Sequence, residues 1–146
     1  MCGVVVHQEM PSSSTPGLCA YEAHNLSTYS VGSNAEASFE HDMYDLTGIK
    51  PHAFDHTVGG KLLEYMKALD FLQFHSVGLG TKSDKALNIM SIDHVMAALK
   101  HDHVDVLKID CEGCEIDVFE GIWEKKGFYR AGDKVLFGQI LIEYHK

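Results

Sequence analysis

Short apolar runs alternate with longer segments of helical periodicity from Thr28 to the end of the chain. This alternation predicts five strands, over residues 28–32, 49–54, 71–77, 104–110 and 135–144. Between them it predicts helices, over residues 35–46, 60–69, 91–100 and 114–126. Strands that alternate with helices are typical of a parallel sheet covered on both faces. With right-handed crossovers, the predicted architecture is a doubly wound, mainly parallel, Rossmann-like α/β sheet.

The connections between these elements carry further signals. Ser91 is placed to cap the third helix, and the polar sequence "GLGTKSDK" after the third strand predicts a loop. Ahead of the first strand, "EMPSSSTPG" is rich in proline, serine and glycine. Residues 1–27 are therefore predicted to form a flexible or irregular segment, and residues 28–146 a single domain.

Charge and composition exclude several classes of partner. The 146 residues include 12 lysines and arginines against 21 aspartates and glutamates, for a net charge of -9. Such a surface repels phosphate backbones and anionic lipids, so nucleic acid and membrane surfaces are not the expected partners. No apolar run is long enough to span a bilayer and "MCGVVVHQEM" lacks a secretory signal, which predicts a cytoplasmic protein. The apolar last strand would be an exposed edge unless covered, which leaves a homo-oligomer open.

Ligands of open α/β sheets bind beyond the carboxyl ends of the strands, so the loops there are candidate sites. Gly32, Ser33 and Asn34 follow the first strand and precede a helix, where the backbone can approach a ligand and free N–H groups are available. The second strand ends in Asp55, at about the 20-residue spacing of a carboxylate that binds a nucleoside ribose. Without a ligand, the same residues would form a tight turn and a capping or solvated aspartate.

The segment "LKIDCEGCE", residues 107–115, contains a Cys-x-x-Cys motif. A zinc site needs four ligands, and Cys2 and Cys19 have the wrong spacing to complete one. A redox pair needs a thiolate, which the surrounding acidic residues suppress. Four cysteines are also too few for a disulfide scaffold in a chain of this length. We therefore expect reduced cysteines that serve as small buried residues, with a thiol redox or zinc protein as a distant alternative.

Acidic residues cluster at the tip of the fourth strand. Asp110, Glu112 and Glu115 could bind a cation, orient a substrate amine or hydroxyl, or cap the next helix. His145 follows the last strand, and an imidazole there is a candidate base, or else an ordinary exposed histidine near the C-terminus.

The segment "VLKIDCEGCEIDVFEGIW" resembles the "LKID-x-EG-x-E" signature of FkbM-like S-adenosylmethionine-dependent methyltransferases. The segments "YSVGSNAEASFE", "HAFDHT", "FHSVGLG" and "GQILIEYH" resemble, in the same order, motifs of a related methyltransferase-like domain family. Five ordered motifs across residues 28–146 are more specific than any single one. In this pattern the two cysteines stand at positions without chemistry.

The resemblance implies a methyltransferase that uses S-adenosyl-L-methionine as a small-molecule cofactor. Gly32 and its neighbours would contact the methionine part, Asp55 the ribose, and the loop at Gly78 the adenine. The cofactor-binding residues so assigned are Gly32, Ser33, Asn34, Asp55, Gly78, Leu79 and Asp110. The residues assigned to catalysis are Asp110, Glu112 and His145.

Related folds continue beyond the fifth strand, so the domain is expected to be truncated after it. An inactive remnant that serves as a nucleoside-binding or scaffold module is the alternative function. The sequence does not identify the methyl acceptor.

Overall fold

The computed structural model describes residues 26–126 and 136–143. Within these ranges the chain forms the following strands and helices: β1 (Thr28–Val31), α1 (Ser38–Thr47), β2 (His52–Phe54), α2 (Gly60–Ala68), β3 (Gln73–His75), β4 (Gly78–Gly80), β5 (Ile89–Ser91), α3 (Ile92–Leu99), β6 (Val104–Ile109), α4 (Glu115–Lys126) and β7 (Phe137–Ile142). Residues 1–25 of the predicted N-terminal segment, and both ends of the last predicted strand, lie outside the described residues.

Five strands form one parallel sheet in the order β3-β2-β1-β6-β7. In its middle, Tyr29 of β1 lies opposite His52 of β2 and Leu107 of β6. The chain therefore runs from β1 to one side through β2 and β3, and then crosses to the other side for β6 and β7. This confirms the predicted Rossmann-like sheet, and it places the reversal of strand order between β1 and β6.

Hydrophobic side chains cover both faces of the sheet. All residues of β1 are buried, as expected for a central parallel strand between two layers of helices. One cluster joins the sheet to α3 and α4 and includes Tyr29, Val31, Phe54, Val95, Met96, Leu107, Ile109 and Val118. A smaller cluster joins Ala53, which points to the opposite face from Phe54, to Met66 of α2. None of the described helices is long and apolar enough to cross a membrane.

The predicted loop after the third strand is wrong at its beginning. Gly78–Gly80 forms β4, which pairs in parallel with β5 as a separate two-stranded sheet. The sequence Gly-Leu-Gly has almost no β-propensity of its own, so this strand is defined by its backbone pairing. At its start, the N–H of Gly78 donates to the carbonyl oxygen of Asn88 over 2.9 Å. Ser91 stands at the N-cap position of α3, but its side chain makes no capping hydrogen bond.

Helix α1 begins at Ser38, three residues later than predicted. Asn34 and Ala35 have φ angles of 45° and 58°, in the left-handed region, so the right-handed helix cannot include them. Further along α1, Glu40 is only 1% exposed, and its Oε1 accepts no hydrogen bond from the described residues. Burial raises the pKa of this carboxyl.

Three histidines, His52, His75 and His101, extend the larger cluster next to Tyr29. The Nδ1 of His52 lies 2.9 Å from the Nε2 of His75, and the hydroxyl of Tyr29 lies 2.8 Å from the Nδ1 of His101. Burial, together with the neighbouring imidazoles of His75 and His101, lowers the pKa of His52 to about 4. Burial also lowers the pKa of His75. The ring of His52 therefore belongs to the core as a neutral group.

Candidate functional site

A cavity of about 550 Å³ opens at the carboxyl ends of β1, β2 and β6. Its walls are the turns that follow these three strands, together with strand β4 of the small sheet. It lies where the strand order reverses, which is the position of ligand sites in doubly wound sheets. Its volume is within the range of small-molecule and cofactor sites.

The turn after β1 is tightly packed between its neighbours. The N–H of Gly32 donates to the carbonyl oxygen of Phe54 over 2.9 Å, and Gly32 has a φ of 79°. A β-carbon at residue 32 would run into the backbone of Asp110 and Cys111. Only glycine fits both the backbone angle and the space, so this residue brings the ends of β1, β2 and β6 into contact.

Asp55 joins the turn after β1 to the turn after β2. Its Oδ2 accepts hydrogen bonds from the backbone N–H groups of Ser33 and Asn34, at 3.0 and 2.9 Å. Its Oδ1 accepts from the N–H and the hydroxyl of Thr57, at 2.8 and 2.6 Å. Burial acts to raise the pKa of Asp55, but the hydrogen bonds from Thr57, Asn34 and Ser33 outweigh it and lower the pKa. The carboxylate is 5% exposed, and both oxygens are engaged within the chain.

The turn after β6 contains a disulfide between Cys111 and Cys114, so the expectation of reduced cysteines is wrong for this pair. Glu112 and Gly113 have positive φ angles of 50° and 116°. This tight reversal brings the two α-carbons to 5.5 Å, a normal disulfide separation. The spacing of the motif alone does not reveal such a turn. Among the described residues no histidine, cysteine or acidic group forms a cluster suited to a metal ion.

Glu115 supports the turn after β6 as Asp55 supports the turn after β1. It is 3% exposed, and its two oxygens accept from the N–H groups of Cys111, at 3.2 Å, and Gly113, at 2.8 Å. A buried carboxylate thus anchors the turn on each side of the cavity.

Carboxylates dominate the charge of the cavity wall. Asp110, Glu112, Asp117 and Glu143 all line it. Against them, Lys108 places its Nζ 3.1 Å from the Oδ2 of Asp110. The wall is thus suited to a ligand that carries positive charge.

The predicted site residues that the structure describes all line this one cavity: Gly32, Ser33, Asn34, Asp55, Gly78, Leu79, Asp110 and Glu112. His145 lies outside the described residues. The prediction omits other lining residues, among them His56, Thr57, Ile89, Lys108, Asp117 and Glu143. All of these except Ile89 stand in the five motifs and could have been found from them. Ile89 belongs to β5, whose pairing with β4 has no clear signal in the sequence.

Contacts around Gly78 show how β4 completes the wall. A β-carbon at residue 78 would overlap the imidazole of His56, so this ring packs directly over the glycine. His56 follows Asp55 and belongs to the turn after β2. The small sheet is thereby fitted against the turn that Asp55 anchors.

Comparison with known proteins assigns the chain to a family. A family described as a methyltransferase domain matches residues 16–146, which include every residue around the cavity. Neither a curated protein nor a solved structure matches the chain. The narrower resemblance to FkbM-like enzymes stays a prediction. The match spans well over half of the sequence and agrees with the parallel sheet, so the chain belongs to the methyltransferase domain family.

Proposed function

We propose that the chain binds S-adenosyl-L-methionine in the cavity at the ends of β1, β2 and β6 and transfers its methyl group to an acceptor. Family membership supports methyl transfer in general. The observation that carries the choice of cofactor is the cavity itself, which combines a glycine turn, an apolar wall and an excess of carboxylates at the point where strand order reverses.

The residues around the cavity suit the chemistry of this cofactor. S-adenosyl-L-methionine has a nucleobase with flat aromatic faces, a sulfonium cation and an amino acid group. Leu79 and Ile89 offer apolar surface for the base, and Gly32 lets the backbone approach the methionine part. Asp110 and Glu112 complement the positive charges of the sulfonium and the ammonium groups.

When bound, the cofactor supplies an electrophilic methyl group on sulfur. The chain's contribution to the transfer is mainly to position the acceptor in line with that group and to keep out water. Asp110 and Glu112 could accept the proton that an oxygen or nitrogen nucleophile loses, and His145 is a further candidate for this role. Lys108 holds the carboxylate of Asp110 in a fixed direction at the wall.

We assign to Asp55 a positioning role in the site. Both of its oxygens accept hydrogen bonds from Ser33, Asn34 and Thr57, and a carboxylate has about four lone-pair sites to offer. A ribose hydroxyl could bind it only by displacing one of these donors. Asp55 would then act on the cofactor by fixing the turn that the methionine part contacts.

Calorimetry with S-adenosylhomocysteine and S-adenosyl-L-methionine tests the proposal, with NAD as a competing ligand for a Rossmann-like site. The Asp110→Asn variant should weaken binding of the cationic S-adenosyl-L-methionine by about tenfold, the size of one lost charge-assisted contact. Glu64→Gln, an exposed change on α2 away from the cavity, should bind like the wild type. Failure of both S-adenosyl compounds to bind, or tighter binding of NAD, would contradict the assignment.

Transfer is tested separately from binding. The protein is incubated with S-adenosyl-L-methionine and pooled oxygen and nitrogen acceptors, and formation of S-adenosylhomocysteine is measured. Turnover above the rate of a heat-inactivated sample is the expected result. Binding without turnover in a broad acceptor screen would favour the alternative of a nucleoside-binding module.

A further inference from the structure

The disulfide between Cys111 and Cys114 is part of the cavity wall. Both cysteines line the cavity, and neither is fully buried. Glu112 and Gly113 between them are exposed. A thiolate that attacks a disulfide must reach one sulfur, and this position leaves the pair within reach of small or protein dithiols.

The turn that the disulfide closes is in direct contact with the glycine turn across the cavity. Gly32 packs against the backbone of Asp110 and Cys111 so closely that no β-carbon fits between them. A movement of Cys111 must therefore be transmitted to residue 32 and to the backbone of Ser33 and Asn34 beyond it. The two sides of the cavity cannot change shape independently.

The turn itself is held in a conformation that needs restraint. Glu112 is a non-glycine residue in the left-handed region, with φ of 50°. This backbone conformation costs free energy, so it persists only where the surrounding structure holds it. Two restraints do so in this structure: the carboxylate of Glu115, which accepts from Cys111 and Gly113, and the disulfide. Opening the disulfide removes one of the two, and the turn can then relax towards ordinary backbone angles.

We propose that Cys111 and Cys114 form a thiol–disulfide exchange site whose oxidised state holds the cavity in its binding shape. The co-reactant is a dithiol. One of its thiolates attacks a sulfur of the pair, a mixed disulfide forms, and the other cysteine leaves as a thiolate that takes up a proton. The second thiol of the dithiol then attacks the mixed disulfide, gives up its proton and releases the remaining cysteine. Two electrons and two protons pass to the cysteines, and the dithiol becomes a disulfide.

This inference rests on the proposed function in one test only, the one in which binding of S-adenosylhomocysteine is used to detect a change in the shape of the cavity. The exchange itself is tested first, with a Cys2→Ser/Cys19→Ser variant that retains only the pair in the turn after β6. The protein is equilibrated in buffers of increasing dithiothreitol over oxidised dithiothreitol, alkylated, and mapped by mass spectrometry. A reversible two-electron transition of this pair is expected. A pair that stays reduced in the oxidised buffer, or is never reduced, would overturn the proposal.

The coupling to the cavity is tested by calorimetry with S-adenosylhomocysteine in the oxidised and reduced buffers. Because the reduced turn must be ordered again on binding, the reduced protein should bind about tenfold more weakly. A Cys111→Ser/Cys114→Ser variant should bind like the reduced protein in both buffers. Equal affinity of the oxidised and reduced wild type would overturn the coupling.

Hydrogen exchange separates a failure of this inference from a failure of the proposed function. If neither redox state binds S-adenosylhomocysteine, the cofactor assignment fails, but the amide exchange rates still report the two turns. Faster exchange at residues 32–34 and 110–115 after reduction supports the coupling. Exchange rates that do not change with redox state would overturn it, whatever the ligand proves to be.

Discussion

Acid should destabilise the fold through His52 at pH values where exposed residues have little effect. The ring of His52 packs against Tyr29 and Phe54, hydrogen bonds to His75 at 2.9 Å, and lies edge-on to the ring of His101. Its pKa falls from 6.5 to about 4 on folding, mainly because burial disfavours the charged ring. The unfolded chain therefore binds a proton that the folded chain excludes. Stability is complete above the unfolded pKa and is lost as the pH falls towards the folded one.

The size of this loss follows from the two pKa values. Each pH unit well inside the interval costs about 1.4 kcal/mol. The loss of unfolding free energy attributable to His52 is then about 2 kcal/mol at pH 5 and about 3 kcal/mol at pH 4. The lowered pKa of His75 acts in the same direction. Because domains are stable by only about 5–15 kcal/mol, this is a substantial fraction of the total.

Urea unfolding followed by circular dichroism at pH 7, 6 and 5 measures the effect. The His52→Gln variant keeps a hydrogen-bonding group but cannot ionise, so its loss between pH 7 and 5 should be smaller than that of the wild type by about 2 kcal/mol. His41→Gln is the matched control, because that side chain is 52% exposed on α1. A His52→Gln variant that loses as much stability as the wild type would refute the reasoning.

Three further predictions concern the cavity and the core. In urea unfolding, Gly32→Ala should destabilise the chain far more than Gly48→Ala. Both glycines have positive φ angles, which cost an alanine about 1 kcal/mol, but of the two only Gly32 has backbone atoms where the added β-carbon would lie. Equal losses would contradict the packing described for the glycine turn. Glu40→Gln should stabilise the protein at pH 7 and much less at pH 4. The pKa of Glu40 is raised on folding, so its carboxylate lowers folding stability once the pH exceeds the unfolded pKa. A variant that is less stable than the wild type at pH 7 would show that the fold favours the charged carboxylate. In calorimetry, Asp55→Ala should weaken the binding of S-adenosylhomocysteine and of its 2′-deoxy analogue by the same factor, as expected of a positioning residue. A smaller effect on the deoxy analogue would indicate instead that Asp55 contacts the ribose hydroxyl.

The parallel sheet is predictable from the sequence because its strands are apolar and its helices periodic. Val104–Ile109 has four apolar residues of six, and its only charged residues are Asp105 and Lys108, which fits a central strand packed on both faces. The small sheet is not predictable in the same way. Gly78–Gly80 contains two glycines, and its strand character comes from pairing with Ile89–Ser91 rather than from its own side chains.

The location of the candidate site is also predictable, since the ends of parallel strands meet at one edge of the sheet. The roles of individual side chains are less so. Asp55 and Asp110 are both acidic residues at strand tips and both line the cavity, but Asp55 is buried with both oxygens bonded to the adjacent turns, whereas Asp110 pairs with Lys108. The backbone angles of Asn34, Ala35 and Glu112 decide which carboxylate accepts hydrogen bonds from backbone N–H groups, and no local sequence pattern encodes those angles. The bonded state of Cys111 and Cys114 depends on the same kind of angle.

The central position of β1 has a consequence for the order in which the parts of the cavity form during synthesis. The N–H of Ser27, the residue before β1, donates a hydrogen bond to the carboxylate of Asp105 in β6, 78 residues later in the chain. During translation β1 and β2 leave the ribosome long before β6 does. Until then the glycine turn has its hydrogen bond to Phe54 but lacks the backbone of Asp110 and Cys111 against which it packs. The cavity should therefore take its final shape late and in one step, when β6 emerges and its tip packs beneath residue 32.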